Sequence, residues 1–305
     1  IDSKVLRRLF DEENEIFRLL NHGKTLIIGR KGSGKTSLLY SALFSERNPI
    51  SVCLESSDSA DVFSRIVQEI SALSIDTVFV EQVGKLWEVL FWGLIFKELN
   101  NTYHSELIAT YLDGLGIAGN ATSPYELIDR QIAVFREFPP AARPVPQKIR
   151  YTRINNVTFL EAKDEALDIL NNNRRNAFIL MDSLEDFKLD IIGNAAALSG
   201  LLRCIGEFTA ENGPCILRCC IPAEKYFDLQ KISSNPIKDC QGSLLVHWDA
   251  GDLIQLAAKR YATYLQIHQR SFYRTDVEHL DLDTRADAFA FWKKIFPEQI
   301  INRNL

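Results

Sequence analysis

The sequence predicts an α/β protein built on a mostly parallel five-stranded sheet flanked by helices, with a helical insertion between the second and third strands. Three observations carry this. Short apolar runs of strand length recur between longer stretches with helical spacing. The first two runs, in TLIIG and PISVCLE, are separated by one helix, which makes a strand-helix-strand opening. A glycine-rich loop, GRKGSGKT, joins the first strand to that helix.

Along the chain, residues 3–21 read as an amphipathic helix, with Val5, Leu6, Leu9, Phe10, Ile16, Phe17, Leu19 and Leu20 on or near one face. A strand over 25–28 follows, then the helix KTSLLYSALF and a buried strand over 49–55. From about 58 to 135 the pattern is helical, through FSRIVQEISAL, VGKLWEVLFWGLIFKEL, HSELIATYL and SPYELIDRQIAVF. The most apolar stretch, residues 86–96, carries Glu88 inside and Lys85 and Lys97 at its flanks. It is well short of the roughly 20 residues that span a bilayer, so it reads as a buried helix. Residues 136–153 hold four prolines and five basic residues against one acid. That composition excludes a regular helix and leaves a connector, or a basic contact for nucleic acid or an acidic partner.

Beyond the connector, FLEAKDEALDILNNN reads as a helix and residues 176–187 as a strand ending in acids. A helix over 191–210, the stop signal Asn212-Gly213-Pro214, the strand CILRCCI, the strand SLLVHW and the helix DLIQLAAKRYATYLQIHQ complete the pattern. Alternating strands and helices imply a sheet covered on both faces. The domain reading is a core over 1–270 and, over 271–305, the start of a helical lid or connector that continues beyond the chain.

Composition bounds the function. With 46% hydrophobic and 25% charged residues, the 305-residue chain is globular in character. A net charge of −5 argues against a protein that coats nucleic acid. The beginning of the sequence lacks the pattern of a secretory signal, and the expectation is a cytoplasmic protein with no membrane role. The six cysteines show no C-x-x-C pair, and four of them lie in apolar contexts that read as core.

The chemistry concentrates in two places. Gly29-Arg30-Lys31-Gly32-Ser33-Gly34-Lys35-Thr36 fits G-x-x-x-x-G-K-[ST] between a strand and a helix, and Ser37 continues that helix. Such a loop bends so that successive N–H groups face a phosphate, with the positive helix end behind them. Lys35 would reach the β and γ phosphates, and Thr36 would place its hydroxyl on Mg²⁺. The alternative is a glycine turn with no ligand. A second carboxylate is then needed to hold the metal through its water shell, at the end of a buried strand adjacent to the loop. Asp182, after Phe178-Ile179-Leu180-Met181, meets the requirement; otherwise it caps the next helix. Hydrolysis also needs a group to orient water. The residue after Asp182 is Ser183, so the role passes to Glu185 or Asp186, each of which could equally be a helix-start acid or an ion-pair partner.

Asp182 to Asp186, DSLED, resembles the D-G-L-D-E of NACHT and related STAND ATPases, the signal-transducing ATPases with numerous domains. The glycine loop, a helical insertion carrying Leu86-Trp87, and Leu245-Val246-His247-Trp248 leading to Leu253-Ile254 and Lys259-Arg260 are similar to bacterial P-loop ATPases of this AAA+-related class. The resemblance implies ATP or ADP with Mg²⁺ as ligands and adenine as the preferred base. It implies a regulatory switch of a signalling or antiviral-defence protein, acting through self-assembly or an effector. The competing expectation is a DNA-associated AAA+-like loader or motor. Where the family often places a polar sensor, after the strand that follows the acid-ended one, this chain reads Ile221-Pro222-Ala223-Glu224; Arg218 lies inside that strand.

Overall fold

The computed structural model describes residues 19–20, 24–41, 43, 50–71, 80–116, 123–136, 157–182, 192–232 and 242–296. The described residues form two compact units, a larger one that ends at Val246 and a smaller one that begins at His247. Most of the helix expected over 3–21, all but Arg136 of the connector expected over 136–153 and the last nine residues lie outside the described residues.

In the larger unit, β1 (Leu26–Gly29) leads to α1 (Lys35–Ser41) and β2 (Ile50–Leu54). Helices α2 (Ser56–Ser71), α3 (Val80–Tyr103), α4 (Glu106–Gly114), α5 (Pro124–Arg136) and α6 (Val157–Asn172) precede β3 (Ala177–Met181). Then come α7 (Ile192–Glu211), β4 (Cys215–Pro222), α8 (Ala223–Ile232) and β5 (Ser243–Val246). The five strands are all parallel, in the order β2-β3-β4-β1-β5. β4 pairs with β1 on one side and β3 on the other, so it lies between the loop strand and the acid-ended strand. Seven of the eight β4 residues are buried, as a central parallel strand requires.

Strand alternation sorts the sheet into two faces. Val52, Leu54, Ile179, Met181, Leu217, Cys219, Leu26 and Ile28 join one continuous core with α3, α7 and Leu229 of α8. Cys53, Leu180, Asp182, Cys220, Ile27 and Gly29 belong to the opposite face, where α1 packs over β1, β3 and β4. The expected helical insertion is thus part of the main core. Trp87, with no exposed surface, donates its indole N–H to the Ala197 carbonyl at 2.9 Å and ties α3 to α7.

The α3–α7 crossing is closest at two glycines. A Cβ on Gly200 would lie 2.6 Å from the Val83 Cβ and 2.9 Å from the Gly84 N. Neither atom can rotate away. Overpacking of this kind costs about 1–3 kcal/mol, against a helix-propensity gain of about 1 kcal/mol for Gly to Ala. Gly200→Ala is therefore expected to lower the denaturant midpoint by the equivalent of up to about 2 kcal/mol; a raised midpoint would contradict the close crossing.

The smaller unit contains α9 (Ala250–His268), a short helical segment Arg270–Phe272, a π turn at Tyr273–Val277 and α10 (Arg285–Ile295). Ala258, Ala262 and Leu265 of α9 share a core with Val277, Ala288 and Phe291. The division at 246 falls earlier than the boundary of 270 expected from sequence, because the apolar stripe of α9 is matched by α10. Asp249 and Asp252 form a reciprocal capping box at the start of α9, and Arg285 donates to both carboxylates at 2.7 and 2.6 Å. Lys259 pairs with Asp283. Among the described residues, no helix is long and apolar enough to cross a membrane.

Candidate functional site

Gly29 ends β1, and the chain turns through Arg30, Lys31, Gly32, Ser33 and Gly34 before α1 begins at Lys35. Gly32 and Gly34 have φ of +81° and +88°, the left-handed region that side chains disfavour. Space is not what excludes a side chain there, since an added Cβ would meet nothing within 4 Å at either position. Gly29 is the reverse case. A Cβ there would sit 2.4 Å from the Ser33 Oγ and 3.1 Å from the Val246 carbonyl oxygen, so the loop closes over this residue.

The loop folds around its own lysine. Lys35 is 6% exposed, and its Nζ donates to the Arg30 carbonyl at 3.0 Å; the Ser33 N–H donates to the same oxygen at 3.1 Å. Arg30, Lys31, Gly32, Thr36 and Ser37 are exposed around it. The result is a solvent-facing backbone turn, cationic at Arg30 and Lys31, with a held ammonium beneath it.

Thr36 provides the link to the second motif. Its hydroxyl lies 3.2 and 3.1 Å from the two carboxylate oxygens of Asp182, 146 residues away in sequence. Asp182 is 7% exposed, and its backbone N–H continues the β2–β3 ladder by donating to the Leu54 carbonyl at 2.8 Å. The carboxylate thus reaches past β4 to α1 from a fixed strand end.

Two further groups surround this carboxylate. Because Met181 pairs with Cys219, the next residue pair along the strands is Asp182 and Cys220. The Cys220 thiol faces the same side of the sheet as the Asp182 carboxylate, one strand away. Burial pushes that thiol well above its ordinary range, reinforced by Cys219 and Asp182 and opposed by Lys35. Tyr40, four residues after Thr36 on the same side of α1, is pushed up to about 12, first by burial and then by Cys53, Asp182 and Glu55. Sequence reading took Cys220 as core and passed over Tyr40. The former signal lay in strand parity and the latter in the i,i+4 spacing, but both become readable only once the register is known.

Asp182, Lys35, Thr36 and the loop glycines are therefore brought together. Glu185, Asp186 and Ser183 lie outside the described residues, as does Cys240. Arg218 lies within β4, is 4% exposed and donates to the Leu20 carbonyl at 3.1 Å.

The topology opens a crevice at the same place. After β1 the chain crosses to α1 on one face, and after the neighbouring β4 it crosses to α8 on the other. Adjacent strands that send their connections to opposite faces leave a cleft at their carboxyl ends, where ligands bind in open α/β sheets. The residues there fit a phosphate chain with a hard divalent cation. A Cβ at Gly29 would have to turn the Ser33 hydroxyl aside and press on the Val246 backbone, and the oxygen pair of Thr36 and Asp182 is the donor chemistry that Mg²⁺ takes.

Comparison with protein-family models, curated proteins and solved structures gives no match. The functional reading therefore rests on the motifs and on this geometry.

Proposed function

We propose that the chain binds a magnesium-bound nucleoside triphosphate, ATP in the reading favoured by the STAND resemblance, and acts as an ATP-hydrolysing regulatory switch. The observation that carries the reading is the contact of Thr36 with Asp182. It joins a glycine-lysine-threonine loop to a strand-end carboxylate, the pairing of parts that nucleotide hydrolysis on this kind of loop uses. The crevice between β1 and β4 and the buried Lys35 support it further.

In this reading the N–H groups of residues 30–36 and the Lys35 ammonium hold the β and γ phosphates. Thr36 and Asp182 would hold Mg²⁺, which when bound neutralises charge developing on the phosphate oxygens. The switch role, self-assembly and coupling to an effector protein or domain rest on the resemblance of DSLED and the glycine loop to STAND ATPases.

The test is a titration of the full chain with a fluorescent ATP analogue, with and without Mg²⁺, combined with light scattering in each nucleotide state. Magnesium-dependent binding with nucleotide-dependent self-association is the expected result. Absence of nucleotide binding would overturn the reading. Salt-sensitive binding to DNA without nucleotide-dependent assembly would favour a loader or motor instead.

A further inference from the structure

The carboxyl end of the sheet carries a carboxylate that the motif pattern does not assign. Leu54 pairs with Met181, and the Asp182 N–H donates to the Leu54 carbonyl at 2.8 Å. Glu55 therefore stands beside Asp182, one strand further out, at a lateral spacing of about 4.8 Å. Alternation puts its side chain on the same face as Cys53 and Asp182, the face covered by α1. Glu55 is also among the groups whose charge pushes up the Tyr40 hydroxyl on α1.

Its backbone is held at a joint. The Ser59 N–H donates to the Glu55 carbonyl at 2.8 Å, and the Ser59 hydroxyl to the Leu54 carbonyl at 3.2 Å, so α2 starts directly from the strand end. The side chain is exposed, in contrast to buried Asp182. Two carboxylates thus stand side by side in different surroundings. The inner one is held by the Thr36 hydroxyl, while the outer one is open to water and longer by one methylene. Ser183, which follows Asp182, has a neutral hydroxyl that is a poor proton acceptor.

We propose that Glu55 is the catalytic carboxylate that orients the attacking water and accepts its proton. This rests on the nucleotide reading of the site. The water oxygen bonds to the γ-phosphorus as one of its protons passes to Glu55. The bond from the γ-phosphorus to the β,γ-bridging oxygen breaks, with its electron pair going to ADP. The products are ADP and inorganic phosphate, and Glu55 returns its proton to solvent.

Single-turnover hydrolysis of Mg-ATP, measured beside binding of a fluorescent ATP analogue, tests the assignment. A general base contributes about 10²–10⁴-fold. Glu55→Gln keeps the shape and is expected to slow turnover by about that factor while binding stays within about twofold of the parent. Glu55→Ala should be equally slow, and Glu55→Asp should recover part of the rate. Turnover of Glu55→Gln within about threefold of the parent overturns the proposal, and a large loss in Glu185→Gln alone would then place the base after Asp182. A parent protein that binds Mg-ATP without hydrolysing it also overturns the role of Glu55, leaving the binding reading intact. A parent that binds no nucleotide removes both.

Discussion

Replacing Lys35 by alanine is expected to lower kcat/KM for ATP by about 10³–10⁵-fold and to raise the dissociation constant by about 10–100-fold. The binding part follows from charge-assisted hydrogen bonds, each worth about 1.5–3 kcal/mol, where about 1.4 kcal/mol is tenfold in affinity. The turnover part follows from loss of one preorganised donor aimed at developing charge, which costs about 10²–10³-fold. Lys35 is suited to this role because its ammonium is held at 6% exposure against the Arg30 carbonyl, 3.0 Å away. The loop does not depend on that contact, since the Ser33 N–H donates to the same carbonyl at 3.1 Å. Loss of binding should therefore occur without loss of fold. A titration with the fluorescent analogue, run beside thermal unfolding, checks both parts. Undiminished binding by Lys35→Ala would show that the loop is not a phosphate site.

The legible parts of the chain were those with local causes. Parallel strands buried on both faces read as continuous apolar runs, so FILM and CILRCCI were recognisable without any tertiary information. The stretch around Trp87 and Trp92 was recognisable as a buried helix because its charges sit at Lys85, Glu88 and Lys97, leaving a long apolar surface that α7 covers. Gly32 and Gly34 announced a turn because only glycine takes their φ readily.

Lateral relations were not legible, because chain order says nothing of which strand lies beside which. β4 lies between β1 and the acid-ended β3, and Cys220, which reads as ordinary core in Arg218-Cys219-Cys220, arrives beside Asp182. Glu55 is a similar case. In PISVCLE it is one acid at a strand end, and only the pairing of Leu54 with Met181 sets it next to the carboxylate of Asp182. The division after Val246 has a related basis: α9 continues the alternation of strands and helices, yet its buried alanines pack with α10.

Asp182→Asn separates metal binding from fold because the two should move differently. The substitution preserves volume and leaves a side-chain oxygen to accept from Thr36, whose hydroxyl lies 3.1 Å from the carboxylate. It removes a negative charge that is 7% exposed. Burying a charge is costlier than burying a hydrogen-bonded amide, so the ligand-free protein is expected to unfold at the same temperature or a higher one. The metal side should weaken. A group that holds a cation through its water shell typically contributes about 10–100-fold in metal affinity or activity. With Mg-nucleotide at about 100 times the parent dissociation constant, the parent gains about 2.7 kcal/mol of stability; the variant should gain about 1.4 kcal/mol if affinity falls tenfold and about 0.4 kcal/mol if it falls a hundredfold. Thermal unfolding with and without Mg²⁺ and ATP therefore gives a diverging pair of shifts. If the ligand-dependent shift of Asp182→Asn equals that of the parent, Asp182 serves as a strand-end cap and its contact with Thr36 is structural.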